Sequence, residues 1–136
     1  MKVLMTADTV GGVWTYAMEL AHAAGPDVRF VVAAMGGMPS DAQWAEVPTN
    51  TKVVASDYKL EWMDDPWDDV ARAGEWLMAL EDDEAPDIVH LNGYAHGALP
   101  FRAPKLVVGH SCVLSWWRAV KGQDASPSWN RYREQV

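Results

Sequence analysis

Short apolar runs alternate with amphipathic stretches along this chain, and this alternation predicts its architecture. Five runs are typical of buried β-strands, because each is short and is bounded by glycine, proline or polar residues. These runs are residues 2–7, 28–34, 51–56, 87–91 and 105–109. The β–α alternation predicts a parallel sheet with helices on both faces, an α/β Rossmann-like fold.

Helical periodicity fills the segments between the strands. After the first run, Gly25-Pro26 ends an apolar stripe formed by Val13, Tyr16, Ala17, Leu20 and Ala24. Asp65 and Pro66 predict the N-cap and first turn of a second long helix. Its apolar stripe comprises Trp67, Val70, Ala71, Gly74, Leu77 and Met78. A short helix or a loop is expected near residues 40–46 and a short helix near residues 94–99, and another helix begins at Ser126-Pro127.

Composition and charge narrow the choice of partners. The 136 residues suit one domain, residues 1–136, and 49% are hydrophobic, enough for a folded core. The formal net charge of −8 argues against nucleic acid or an anionic membrane as the main partner. Acidic side chains concentrate between residues 61 and 87, where a solvated helix face is expected. Residues 81–84 oppose the helix dipole, and solvation is the only account the sequence offers.

The compartment is predicted from what the sequence lacks. No apolar stretch is long enough to span a bilayer, and the first apolar run meets Asp8 too early for a signal peptide. Cys112 is the only cysteine, so no intrachain disulfide is possible. Its place two residues after His110 does not by itself predict a nucleophile. A cytoplasmic location is expected.

The segment between the first strand and the first helix is the clearest candidate for ligand binding. Gly11 and Gly12 follow the first strand and open the helix, whose first N–H groups point toward the loop. Glycine lets phosphate or sugar oxygens approach the backbone without a Cβ in the way. The alternative is a tight turn without a ligand. The loop is neither a P-loop nor a dinucleotide fingerprint, because Gly-Lys-Ser/Thr and Gly-x-Gly-x-x-Gly are missing.

Three polar loops converge if the strands follow a flavodoxin-like order, 3-2-1-4-5. Ligands bind beyond the carboxyl ends of parallel strands, at the point where strand order reverses. That point would lie between the first and fourth strands, which end at Gly11-Gly12 and at Asn92-Gly93. The fifth strand brings His110-Ser111 to the same edge. We therefore expect Gly11, Gly12, Asn92, Gly93 and Ser111 to contact substrate.

The four histidines differ in their expected roles. His110 follows a buried strand and is the candidate catalytic residue, because imidazole can bind a sugar hydroxyl or move a proton near neutral pH. His90 lies within a strand and is expected to be a core residue. His96 is undecided, and His22 is expected to be solvated. No acidic or cysteine residue completes a metal-ligand spacing around His90 and His96, so no metal site is predicted.

The end of the sequence is rich in tryptophan. Trp116 and Trp117 either stack on a sugar or lie buried under a partner domain, and the sequence favours neither. The final predicted helix has about ten residues, which is marginal without a packing partner. This pattern predicts a fragment of a longer protein.

Three segments resemble the family 4 glycosyltransferases of the GT-B fold, the group that includes glycogen synthases. They are the opening MKVLMTADTVGGVWTYAMELA, the fourth strand PDIVHLN and the fifth strand VVGHS, at residues 1–21, 86–92 and 107–111. The resemblance runs along essentially the whole chain. Two positions depart from it: Thr9 stands where glycogen synthases carry lysine, and Asn92 where many members carry histidine.

The resemblance implies the N-terminal, acceptor-side half of a GT-B fold, facing a C-terminal donor-binding domain that this sequence lacks. Such enzymes transfer a sugar from a nucleotide-sugar to a sugar or glycan acceptor, usually with retained configuration and without a metal or other cofactor. By position, Gly11 and Gly12 would border the donor phosphates and the acceptor, and His110 would lie beside the transferred sugar. The alternative is a stand-alone flavodoxin-like domain that binds a ligand or protein and catalyses nothing.

Overall fold

A five-stranded parallel sheet forms the centre of the molecule, as a computed structural model of residues 1–136 describes it. The strands are Lys2–Asp8 (β1), Arg29–Met35 (β2), Thr51–Ala55 (β3), Ile88–Leu91 (β4) and Lys105–Val107 (β5). Their order is β3-β2-β1-β4-β5, and every pair is parallel. The predicted Rossmann-like α/β fold and the flavodoxin-like strand order are therefore confirmed.

Helices connect the first four strands and pack on the sheet, whereas turns alone connect β4 to β5 and two short helices follow β5. The helices are Gly12–Ala23 (α1), Asp41–Ala45 (α2), Trp67–Glu84 (α3), Val113–Trp116 (α4) and Asn130–Gln135 (α5). A π-helical turn, Trp117–Lys121, follows α4, and a 3₁₀ turn, Pro127–Trp129, precedes α5. No helix combines the length and the apolar character needed to cross a membrane.

Two apolar cores lie on opposite faces of the sheet, because successive strand residues point to opposite sides. On one face Met5 and Val32 pack with Trp14 and Met18 of α1. On the other face Leu4 packs in a cluster that includes Leu77 of α3 and Val89, Leu91 and Phe101. Both faces of β1 are thus buried, which explains its unbroken apolar run.

The buried stripe of α1 is rotated from the predicted one. Trp14, Ala17, Met18 and Ala21 are buried, whereas Val13 and Tyr16 are half-buried and Ala24 is exposed. The indole of Trp14 is the largest side chain to enter this core, and its Nε1 donates to Glu46 at 3.1 Å. Val13 lies at the carboxyl edge of the sheet, where it lines a cleft, and Tyr16 packs on two histidines.

The start of α3 also differs from the prediction. The helix begins at Trp67, and Pro66 is its N-cap, without a capping side chain. Asp65 has a left-handed backbone with φ of 40°, so the chain turns sharply before the helix. The predicted N-cap at Asp65 is therefore wrong, because this turn puts Asp65 one residue too early to cap the helix.

The acidic end of α3 is stabilised by contacts rather than by solvent alone. The Glu81 side chain is buried, and its Oε1 accepts the backbone N–H of Ala103 at 2.8 Å. Glu84 pairs with Lys52 at 2.5 Å and with Lys2 at 3.2 Å. The hydrogen bond from Lys52 holds the pKa of Glu84 below its usual value. Solvation alone was therefore an incomplete explanation.

Two further segments depart from the sequence-based expectation. Residues 94–99 form hydrogen-bonded turns instead of a helix, with Gly93, Gly97 and Pro100 in and around them. The segment after β4 thus contains too many helix-breaking residues to form a helix. The fifth strand is three residues long and exposed, with Leu106 50% accessible. Its position at the sheet edge, paired only with β4, explains why it is not buried as predicted.

Candidate functional site

A cleft of about 90 Å³ opens at the carboxyl ends of β1, β4 and β5, where the strand order reverses. Four of the predicted site residues line it together: Asn92, Gly93, His110 and Ser111. The opposite wall comes from the loop after β3 and includes Glu61 and Trp62. The topology thus brings segments far apart in sequence to one edge.

Asn92 is the centre of the hydrogen-bond network in this cleft. Its side-chain nitrogen donates to the carbonyl of Thr6 at 2.7 Å, and its backbone N–H donates to the Thr6 hydroxyl at 2.8 Å. Its side-chain oxygen lies 3.1 Å from Nε2 of His90 and 2.9 Å from Nε2 of His110. Because the NH₂ group serves Thr6, the oxygen is the acceptor, and both imidazoles carry a proton on Nε2.

This polarity determines what His110 can do. Its ring is exposed, and it packs edge-on against Tyr16 with ring centroids 4.7 Å apart. With Nε2 held by Asn92, the protein provides no hydrogen-bond partner for Nδ1. In the neutral ring Nδ1 can accept a hydrogen bond from a hydroxyl group, and in the protonated ring Nδ1–H can donate a hydrogen bond. His110 is thus an oriented imidazole with one nitrogen open to a ligand.

His90 acts on the other side of the same oxygen. It is 5% exposed and packs against Tyr16 at a centroid distance of 6.1 Å. Burial lowers the pKa of His90, although the hydrogen bond to Asn92 opposes this effect and the charge of His110 adds to it. A neutral ring at pH 7 follows. The prediction of a satisfied core histidine is confirmed.

A carboxylate from the loop after β3 holds the turn that follows Asn92. Oε2 of Glu61 accepts the N–H of Ala95 at 2.8 Å, and Oε1 accepts the N–H of Tyr94 at 3.3 Å. A Cβ at Gly93 would lie 3.5 Å from Oε2 of Glu61, so the carboxylate rests directly above this backbone. Glu61 is therefore a structural ligand of the turn and not part of a solvated acidic face.

Tyr94 reaches across the site to the segment before His110. Its hydroxyl occupies the space where a Cβ of residue 109 would be, and its Cζ would lie 2.8 Å from that Cβ. Only glycine allows this approach. Gly109 and Tyr94 together fix the distance between the turn after β4 and the chain that presents His110.

The glycine pair lies next to the cleft but does not line it. Oδ1 of Asp8 accepts the N–H groups of Val10 at 3.1 Å and Gly11 at 2.9 Å. These two donors are already bonded, so they do not form an empty anion cradle. No atom lies within 4 Å of a Cβ built at Gly12, and α1 has no side-chain cap. The open donors of this loop are therefore the first N–H groups of α1.

The other candidates have structural contacts. Nε2 of His96 lies 2.9 Å from the carbonyl of Val70, which ties the turn after β4 to α3. His22 is exposed, as predicted. Sγ of Cys112 accepts the N–H of Ser115 at 3.3 Å and caps α4. Trp116 and Trp117 contact each other edge-on and do not line the cleft. No three His, Cys, Asp or Glu side chains are arranged to hold a metal ion.

Two residues of the network escaped sequence reasoning. The sequence pattern places Thr6 only in a buried strand, although a single hydroxyl within an apolar run is a usable signal. The same kind of pattern places Tyr16 in the apolar stripe of α1, and nothing local distinguishes it from a core aromatic.

Comparisons with known proteins define the fold and nothing finer. No protein-family model and no curated protein matches the sequence. Among solved structures, the chain resembles the C-terminal domain (residues 83–215) of a hydrogenase from Pyrococcus furiosus, with 17% identity and a TM-score of 0.54. The match covers 79% of this chain and 90% of that one. At this identity the likeness concerns the α/β architecture alone.

Proposed function

We propose that this chain is the N-terminal, acceptor-side domain of a retaining glycosyltransferase. The enzyme moves a sugar from a nucleotide-sugar donor to a sugar or glycan acceptor. The observation that supports it most is the exposed imidazole of His110, whose Nε2 is held 2.9 Å from Asn92 at the carboxyl edge of the sheet. The three motif resemblances give the reaction class, and the cytoplasm is the proposed compartment, where Cys112 stays reduced.

In sugar transfer the bond between the anomeric carbon and the donor phosphate oxygen breaks, a bond to the acceptor oxygen forms, and the acceptor hydroxyl proton leaves with the phosphate. Positive charge develops on the sugar and negative charge on the leaving phosphate. The first N–H groups of α1, at Gly12, suit the phosphate oxygens because a helix N-terminus carries partial positive charge. Nδ1 of His110 suits a hydroxyl of the transferred sugar, because Asn92 and Tyr16 hold the ring in place.

The small size of the cleft supports the proposal that a second domain completes the ligand site. The cleft volume of about 90 Å³ is well below the roughly 300–1,000 Å³ of usual ligand pockets. A nucleotide-sugar would therefore extend beyond it, toward the C-terminal domain that the family resemblance implies. Catalysis requires both substrates held in register, so we expect residues 1–136 alone to turn nothing over.

The test is the release of nucleoside diphosphate from a panel of sugar nucleotides, with mixed glycans as acceptors. The full gene product and residues 1–136 are assayed side by side. We expect turnover by the full product only. Steady turnover by residues 1–136 alone would contradict the two-domain proposal. Ligand binding without turnover by either protein would favour the stand-alone binding domain.

A further inference from the structure

A second groove adjoins the cleft and has a different lining. It lies between the segment 61–67 and the segment 128–132, with a volume of about 350 Å³. Its walls carry three indoles, of Trp62, Trp67 and Trp129, and three acidic side chains, of Glu61, Asp64 and Asp65. Glu61 and Trp62 line both the groove and the cleft. These two residues are therefore the common border of the cleft and the groove, and the two depressions lie side by side.

The chemistry of this lining suits a hydroxylated ring. Trp62 is 42% exposed, so part of its indole surface is accessible to a ligand. The side-chain oxygens of Asp64 and Asp65 are exposed and accept no hydrogen bond from the protein. An indole packs against the apolar C–H face of a sugar ring, and a carboxylate accepts strong hydrogen bonds from hydroxyl groups.

The wall opposite Trp62 is anchored to the rest of the fold. Tyr132 is 2% exposed, and its hydroxyl accepts the N–H of Val113 at 3.3 Å. Burial raises the pKa of Tyr132 to about 12, so the phenol stays neutral. Trp129 packs edge-on against Tyr132 with ring centroids 5.8 Å apart. The groove is thus formed by ordered contacts between the two segments.

Acidic and aromatic side chains also suit a cationic ligand, but the chain supplies its own cations here. The guanidinium of Arg131 lies over the ring of Trp67 at 5.3 Å. Nζ of Lys59 donates to the carbonyl of Asp64 at 2.9 Å. These two charges partly balance the local carboxylates and occupy one indole face. A neutral ligand is therefore favoured at Trp62.

We propose that this groove binds the second sugar ring of a carbohydrate acceptor whose reacting end lies beside His110. This inference rests on the proposed function, because it places the acceptor end in the same cleft. Trp62 is then a residue that determines acceptor length, and it touches no reacting atom.

The test measures glycan binding by residues 1–136 on an array that carries neutral, acidic and amino sugars of one to six rings. We expect neutral glycans of two or more rings to bind, and Trp62→Ala to weaken them about tenfold, on the scale of an aromatic contact. Trp62→Phe keeps a ring and should restore most of the binding. Trp44→Ala is the matched control, because Trp44 is 43% exposed and lies on α2 outside the groove. Melting temperatures check that each variant folds.

Three outcomes would overturn the inference. They are no glycan binding at all, equal binding by Trp62→Ala and the wild type, and binding confined to amino sugars, which would identify a cation site. The proposed function fails separately. If the full gene product binds glycans through Trp62 but transfers no sugar, the groove proposal survives and the glycosyltransferase proposal fails. If the full gene product transfers sugar and Trp62→Ala leaves the acceptor KM unchanged, the glycosyltransferase proposal survives and the groove proposal fails.

Discussion

Nε2 of His110 lies 2.9 Å from the side-chain oxygen of Asn92, and the same oxygen accepts a hydrogen bond from the buried ring of His90. One amide therefore connects a core imidazole in β4 with an exposed imidazole after β5. A flip of the Asn92 amide would place its NH₂ group against two N–H donors and its oxygen against the carbonyl of Thr6, so this flip is disfavoured. The orientation of His110 is thus set by buried parts of the sheet.

In the proposed full-length glycosyltransferase, His110→Ala should lower kcat about 10²-fold or more, the scale of a positioned acid–base or polar group. The loss should fall mainly on kcat if the contact strengthens as charge develops on the sugar. Steady-state kinetics across donor concentrations measure both parameters. His22→Ala is the control, since His22 is exposed on α1. A His110→Ala enzyme with near-normal kcat would refute the site assignment.

His90 should make folding stability depend on pH. Burial lowers its pKa in the folded chain below the usual 6.5, so the unfolded chain binds more protons in this range. The contribution of neutral His90 to the free energy of unfolding is therefore fully present above pH 6.5. It is lost as the pH falls toward the pKa of His90 in the folded chain. Urea unfolding between pH 5 and 8 should reveal a drop that His90→Gln removes and His22→Gln keeps. Parallel pH profiles for the wild type and His90→Gln would show that His90 does not titrate differently in the two states.

Gly12→Val tests the open donors of α1. No atom lies within 4 Å of a Cβ at Gly12, so the fold should lose less than about 1 kcal/mol. The branched side chain would fill the space above the first N–H groups, and activity of the proposed full-length glycosyltransferase should fall about tenfold or more. Thr15→Val is the control, because Thr15 is exposed farther along the same helix. If Gly12→Val keeps full activity, the glycine pair is only a turn.

Gly109→Ala should destabilise the fold by about 1 kcal/mol, the low end of the cost of overpacking, because Gly109 is exposed and the atom that must shift is the end of a side chain. The new Cβ would overlap the hydroxyl of Tyr94. Tyr94→Phe removes that hydroxyl, so the double variant should recover part of the loss in a double-mutant cycle. Urea unfolding measures each free energy, and Gly12→Ala serves as a Gly-to-Ala change in open space. Strictly additive losses would mean that Tyr94 does not occupy this position in solution.

Glu81→Ala should cost about 1 kcal/mol or more of unfolding free energy, because the half-buried N–H of Ala103 loses its acceptor, although removal of the buried and unpartnered Oε2 offsets part of the loss. Its neighbour Asp82 pairs with Arg102 at the surface, where such pairs contribute about 1 kcal/mol or less. Asp82→Ala is therefore the matched control. Equal losses for the two variants in urea unfolding would contradict the anchoring role of Glu81.

The local pattern of this sequence was sufficient for the architecture. Apolar runs of strand length separated by helical stripes specify a parallel α/β sheet, since a strand buried on both faces must be apolar throughout. Parallel strands also end at one edge, so the sequence alone predicts that Asn92, Gly93, His110 and Ser111 meet. Helix ends and exposure were less predictable. The N-cap of α3 and the accessibility of β5 depend on the backbone turn at Asp65 and on position at the sheet edge.

Only the tertiary structure determined the partners within the site. Thr6 lies 86 residues before Asn92, and Glu61 lies 33 residues before Tyr94. Hydrogen bonds over such separations follow from how strands and loops pack, and no local periodicity carries that information. The Asp8 carboxylate that occupies the Val10 and Gly11 N–H groups is a local contact, yet the same residues also permit an open loop. The position of the Asp8 side chain relative to these N–H groups determines whether the loop is closed or open. Sequence patterns do not give that position, because they describe only which face of an element is buried.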